Sequence, residues 1–231
     1  MSFQSINHFL ITPLRCANNN QSVSPLRFIC ALRHDCPEER NSSHLMRHKF
    51  PSPCHLASKL CQAKDMATSL GTLHYFDHNL DVHRVVVGPY ANNVFVIRCK
   101  HTGEAVLIDA ANEHERLLDL CQALGVRRVL ETHGHHDHIQ AVPAMREAGY
   151  EVAVAPDDAG MLKDVGYDVF INDEDVIEVG RLRLDVIHNP GHTPGSISFK
   201  VQNAPLLFTG DTLFPGGPGA THFPGGSFDT I

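Results

Sequence analysis

No stretch of this sequence approaches the roughly 18 consecutive apolar residues that a membrane-crossing helix requires, so no membrane partner is expected. It has no positive balance either. A formal net charge of −7 gives no reason to expect nucleic-acid binding. A C-x-x-C pair is absent, which weakens zinc-ribbon and thiol-redox readings. So is a G-x-S-x-G elbow, so no serine nucleophile of that type is expected.

The deficits are uneven along the chain. Residues 1–65 contain no acidic residue before Asp35, lack sustained periodicity, and include the loop-like "CANNNQSVSP". Their balance is +4, whereas residues 66–231 carry −11, and five of the seven cysteines (Cys16, Cys30, Cys36, Cys54, Cys61) fall before the seam. No secretory apolar core is present. Residues 1–65 therefore read as a disordered or dispensable extension, with Met66 as the functional start. Organelle targeting is the alternative, suggested by the Ser- and Arg-rich composition. Five unpaired thiols suit a reducing, cytoplasmic setting.

Histidine, by contrast, is abundant at 17 residues. Four of them, with one aspartate, occupy six positions in "ETHGHHDHIQ". The surrounding pattern is that of a mixed fold. "VHRVVVG", "NVFVIRC" and "EAVLIDA" are short β-branched runs with turns between them. "NEHERLLDLCQALG" spaces Leu117, Leu118, Cys121 and Leu124 as a helix, which Gly125 ends. "VRRVLE" forms a strand that delivers the histidine cluster, and a second helix is expected over about 139–148. "YEVAVAP" is a strand, "AGMLKDVG" a short helix, and "DVIEVG", "LRLDVIHNP", "SISFKV" and "APLLFTGD" are four further strands. The fold class is α/β, or α+β in some schemes, in layers.

His133 and His135 stand two apart, so in an extended loop both rings point one way, and Gly134 frees the backbone between them. Asp137 and His138 are adjacent and begin the next helix, where the chain changes direction, so they can face a second ion. Neutral imidazole and carboxylate suit zinc, with iron or manganese possible as carboxylate content rises. One loop cannot complete such a site. "HNPGHTPGSIS" offers His192 in a Pro- and Gly-framed turn, and "LLFTGDTLF" offers Asp211 after an apolar strand.

In this order, T-H-x-H-x-D-H, P-G-H-T-P-G-S and T-G-D-T-L-F resemble the metallo-β-lactamase superfamily, with glyoxalase II-like (hydroxyacylglutathione hydrolase-like) enzymes the nearest branch. The resemblance covers about residues 82–231. It implies an αββα sandwich and two Zn(2+) per complete site. His133, His135 and His192 would hold the first ion, Asp137 and His138 the second, and Asp211 would bridge them. Asp137 would also orient the attacking water, so Asp137 and Asp211 are the expected catalytic carboxylates. His136 occupies a variable position of the motif and is expected to be a filler. His222 is a weaker candidate.

Family members add a further histidine some 40 residues after the bridging aspartate, beyond Ile231. A chain incomplete at its C-terminus, with weakened second-metal binding and low stability, is the corresponding expectation. The implied activity is hydrolysis of a small-molecule thioester or ester by metal-bound hydroxide. The segment after Asp211 carries no cysteine, lysine or arginine, so the family's glutathione-holding G-C-G-[RK] pattern is missing. Two alternatives stay open. One is a persulfide dioxygenase-like enzyme with a single iron on His133, His192 and Asp211; the other is a non-catalytic metal-binding fragment.

Overall fold

The computed structural model describes residues 71–231. The extension expected at residues 1–65, with its cysteines and the Met66 start, lies outside the described residues. Within them, no helix is long and apolar enough to cross a membrane.

Two sheets face each other. The first has seven strands in sequential order: β1 (Leu73–Phe76), β2 (Leu80–Val87), β3 (Asn92–Cys99), β4 (Ala105–Ile108), β5 (Val126–Leu130), β6 (Glu151–Val154) and β7 (Val169–Phe170). β1 to β4 are an antiparallel meander, and β4 to β7 run parallel. The second sheet orders β11 (Leu207–Phe208), β10 (Ile197–Val201), β9 (Leu182–His188) and β8 (Val176–Val179), all antiparallel. A small hairpin, β12 (Leu213–Phe214) with β13 (Gly217–Pro218), stands apart.

Side-chain alternation divides the apolar residues into two cores. Leu80, Val82, Ile97 and Ile108 face the second sheet and meet Leu184, Ile197, Phe199 and Val201. On the other face of the first sheet, Val85, Val94, Val96 and Leu107 receive α1 (His114–Leu124) and α2 (Val142–Glu147). β3 is covered on both sides, and seven of its eight residues are buried. Among the described residues both α-helices lie on the first sheet, giving three of the four layers expected.

α1 follows its sequence pattern with one change. Leu117, Leu120, Cys121 and Leu124 are its buried residues, while Leu118 is only partly covered. Gly125 ends it in the left-handed region (φ 78°), donating its N–H to Cys121 O at 3.0 Å, and a Cβ there would meet the Gly103 carbonyl. The second helix starts later than its periodicity suggests. Residues His136–His138 form a separate 3₁₀ turn, and α2 begins only at Val142, with Pro143 in its first turn. Asp137 and His138 thus belong to a tight turn ahead of the helix rather than to its start. The short helix expected at "AGMLKDVG" is not formed: its first four residues close a 3₁₀ segment, Pro156–Leu162, and residues 163–165 are a turn. β1, β7 and the β12–β13 hairpin have no counterpart in the sequence reading: all but β1 are two-residue strands, too short for alternation to register.

Candidate metal centre

The histidine motif leaves the C-terminal end of β5, and Asp109 leaves the end of the adjacent parallel strand β4. His192 lies between β9 and β10, and Asp211 follows β11. Both sheets therefore deliver loops to one edge of the sandwich, where side chains remote in sequence meet.

Two groups of donor atoms form there, each within 4.8 Å: His133, His135 and His192, and His133, His138 and Asp211. His135 Nδ1 is 2.9 Å from His192 Nε2. His138 Nε2 is 3.3 Å from Asp211 Oδ1, and His192 Nε2 is 3.7 Å from Asp211 Oδ2, so the two carboxylate oxygens face different groups. Tetrahedral nitrogen ligands about 2.05 Å from zinc would stand roughly 3.4 Å apart, close to these separations.

The hydrogen bonds around the cluster fix which ring nitrogens face inward. His192 Nδ1 lies 2.7 Å from the Ala220 carbonyl, which can only accept, so Nδ1 carries the proton and Nε2 presents a lone pair. His138 Nδ1 donates to Asp109 Oδ2 at 2.8 Å. His133 Nδ1 donates to Thr132 Oγ1 at 3.0 Å, and that hydroxyl in turn donates to Asp109 Oδ2 at 2.9 Å. Asp109 Oδ1 accepts the Thr132 N–H at 2.7 Å. One carboxylate thereby orients both His133 and His138. Asp109 adopts a left-handed backbone (φ 62°), a conformation aspartate tolerates better than most residues.

The inward atoms are left without partners. His133 Nε2, His138 Nε2 and Asp211 Oδ1 are buried and unbonded; the 3.3 Å approach of the last two is not aligned as a hydrogen bond. Buried polar atoms are rarely orphaned, since each costs about 1–3 kcal/mol. Three converging on one point form a donor set suited to a cation.

Protonation states follow from the same packing. Burial, then the neighbouring imidazoles, pushes His133 well below the ordinary histidine pKa and lowers His135 as well. For His138, burial opposes the charge, but the Asp211 and Asp109 carboxylates outweigh it and raise the pKa well above its usual value. Burial alone would raise Asp211, yet His138 above all holds it well below the carboxylate range.

A second carboxylate, Asp158, is fully buried beneath the site. Its Oδ2 accepts the Gly134 N–H at 2.8 Å and the Thr193 hydroxyl at 2.7 Å, and its Oδ1 accepts the Gly195 N–H at 2.7 Å. It therefore clips the His133–His135 loop to the His192 loop. Gly195 is required by this closeness, because a Cβ would fall 2.6 Å from Asp158 N.

Of the six residues the sequence singled out, His133, His135, His138, His192 and Asp211 converge. Asp137 stands at the margin. Its Oδ2 is 3.8 Å from His138 Nε2, its side chain is 29% exposed, and Asn92 Nδ2 donates to both its Oδ2 and its carbonyl at 3.0 Å. His136, between the ligand candidates, is in neither donor group. His222 packs on Phe223, with ring centroids 4.3 Å apart. Sequence reasoning missed Asp109, Asp158, Thr132 and Asn92. A lone Asp at the end of "EAVLIDA" was the available signal for the first; Asp158, in "APDDAG", gave none.

The model of the metallo-beta-lactamase superfamily domain matches residues 87–231. The chain belongs to that superfamily. Hydroxyacylglutathione hydrolase GloC of Haemophilus influenzae is 31% identical over 147 residues, covering 55% of this chain and 69% of its own length. A bovine mitochondrial persulfide dioxygenase, ETHE1, is 33% identical over 142 residues, covering 59% of this chain and 54% of its own. Among solved structures, TTHA1623 in a di-iron-bound form superposes with a TM-score of 0.57 at 29% identity, covering 64% of this chain and 80% of that one. The superfamily fold binds divalent metals, and this chain carries His-rich groups that could hold such an ion.

Proposed function

We propose that this superfamily member is a metal-dependent hydrolase of thioester or ester bonds, with His133, His135 and His192 holding one ion, Asp137 and His138 a second, and Asp211 spanning both. The observation that carries the reading is the trio of buried donors that make no hydrogen bond, His133 Nε2, His138 Nε2 and Asp211 Oδ1. Zinc suits this nitrogen-rich set, and iron is the other candidate, given the di-iron neighbour. A divalent ion at such a site supplies an acidified water and polarises a carbonyl oxygen.

The chain's own residues prepare that chemistry. Asp109 and Thr132 keep the His133 and His138 protons on Nδ1 and their lone pairs inward. Asp211 belongs to the second donor group and turns one carboxylate oxygen toward His138 and the other toward His192 of the first. Asp137 is steadied through one oxygen by Asn92, leaving the other to orient a water or accept its proton. Small-molecule thioesters are the substrates in keeping with the hydroxyacylglutathione hydrolase relatives. Thiol release from a thioester by the zinc-loaded chain, abolished by His133→Ala, is the expected result; full turnover in that variant would refute the assignment.

A second reading has one observation in its favour, the similarity to the persulfide dioxygenase. There, His133, His192 and Asp211 would hold a single iron. Oxygen uptake on persulfide addition, with one iron per chain and no thioester cleavage, would favour it.

A further inference from the structure

The segment after Asp211 lies against the histidine cluster and is pinned there. Its Ala220 carbonyl accepts from His192 Nδ1 at 2.7 Å, the Gly219 N–H donates to Thr212 O at 3.0 Å, and the Ser227 N–H donates to Gly191 O at 2.8 Å. Gly225 sits against the ring of Pro194, where a Cβ would come within 2.8 Å, and the Gly226 N–H closes a turn on Phe223 O at 2.8 Å. These contacts fix the position of Phe223. Its ring stands edge-on to His135, with centroids 5.2 Å apart and planes at 68°, and 6.3 Å from His192. It remains 44% exposed, more open than His135 and His192 beside it.

An anchored, half-exposed aromatic ring beside two metal-ligand candidates is a surface that a ligand reaching the cluster must cover. Covering it removes apolar area from water and favours an apolar group in the ligand. Charge points the same way. Residues 212–231 contain no lysine or arginine, and Asp229 is their one charged side chain apart from the titratable His222. A carboxylate placed along residues 212–231 would lose hydration without gaining a lysine or arginine partner from that segment.

We infer that Phe223 is the specificity-determining wall of this site, and that it selects substrates whose group beside the cleaved bond is neutral and apolar rather than an anionic peptide thiol. The inference rests on the hydrolase reading, which it narrows to a substrate class.

The test uses the full chain loaded with zinc and two product-like thiols, benzyl mercaptan and glutathione, with binding followed by calorimetry. Benzyl mercaptan should bind about tenfold tighter or more, the scale that burial of part of an aromatic ring provides. Phe223→Ala should bring the two thiols to within about threefold of each other by weakening benzyl mercaptan alone, while Phe223→Leu, which keeps an apolar wall, should preserve most of the preference. Wild-type protein binding glutathione as tightly, or a ratio unchanged in Phe223→Ala, would overturn the inference. Acetyl thioesters of the same thiols, assayed on the same samples, separate the two levels. Intact ranking without turnover contradicts the hydrolase reading alone; turnover without ranking contradicts the role of Phe223 alone.

Discussion

Nδ1 of His138 lies 2.8 Å from Oδ2 of Asp109, and both side chains are buried. The same oxygen accepts from Thr132, which holds His133. Asp109→Asn should keep the left-handed backbone but place an N–H donor where an acceptor is needed, turning the imidazole protons toward the metal position. A loss of about 10- to 100-fold in metal affinity is expected, measured by competition with a chromogenic chelator. Unchanged affinity would mean that Asp109 does not set the tautomers.

Asp158 tests whether the two histidine loops are held together from below. Asp158→Ala leaves the N–H groups of Gly134 and Gly195 and the Thr193 hydroxyl buried without their acceptor. A cost of about 2–4 kcal/mol follows, equivalent to a fall in melting temperature of roughly 5–10 °C. Because the clip sets the approach of His135 to His192, metal affinity should fall with it. A variant as stable as wild type would show that other contacts hold the loops.

Backbone space at the bridging residue is equally restrictive. Gly210 adopts φ +51°, and a Cβ there would collide with the side chain of Thr132. Gly210→Ala should displace both the Asp211 backbone and the Thr132 relay, reducing metal binding together with thermal stability. Separate loss of one without the other would contradict this coupling, and chelator competition alongside calorimetric melting reads both.

The pH dependence has a definite sign. His133 and His135 are held below the ordinary histidine pKa by burial, so the folded state binds fewer protons than the unfolded chain between the two values. For the metal-free protein, the contribution of these two groups is lost as pH falls from about 6.5 toward their folded values. His138 acts oppositely: its raised pKa contributes stability below about 6.5 that fades as pH climbs through the folded value. His133→Gln should therefore flatten the acid side of a melting-temperature profile without moving the alkaline side. An acid limb as steep as that of the wild type would refute it.

How much of this was legible in the sequence depended on the length scale of each signal. β2, β3 and α1 have enough residues for alternation or helical spacing to emerge, and their positions followed from it. The motif histidines and Asp211 were legible because fixed spacing and flanking glycines mark them. β7 and the β12–β13 hairpin are too short to show a period. The later start of α2 reflects tertiary demand: the turn at His136–His138 aims His138 at Asp109 and Asp211, overriding the apolar pattern from Ile139. Asp158 carries no sequence pattern of its own and Asp109 only its place after an apolar strand, since the importance of both arises from contacts 23 to 37 residues away.

Metal analysis of the purified full chain tests the central claim most directly. After zinc loading and buffer exchange, wild-type protein should retain one to two ions per chain. His133→Ala should lose at least one of them, because that imidazole belongs to both donor groups. Wild-type protein retaining none, or the variant retaining as much as wild type, would contradict the account.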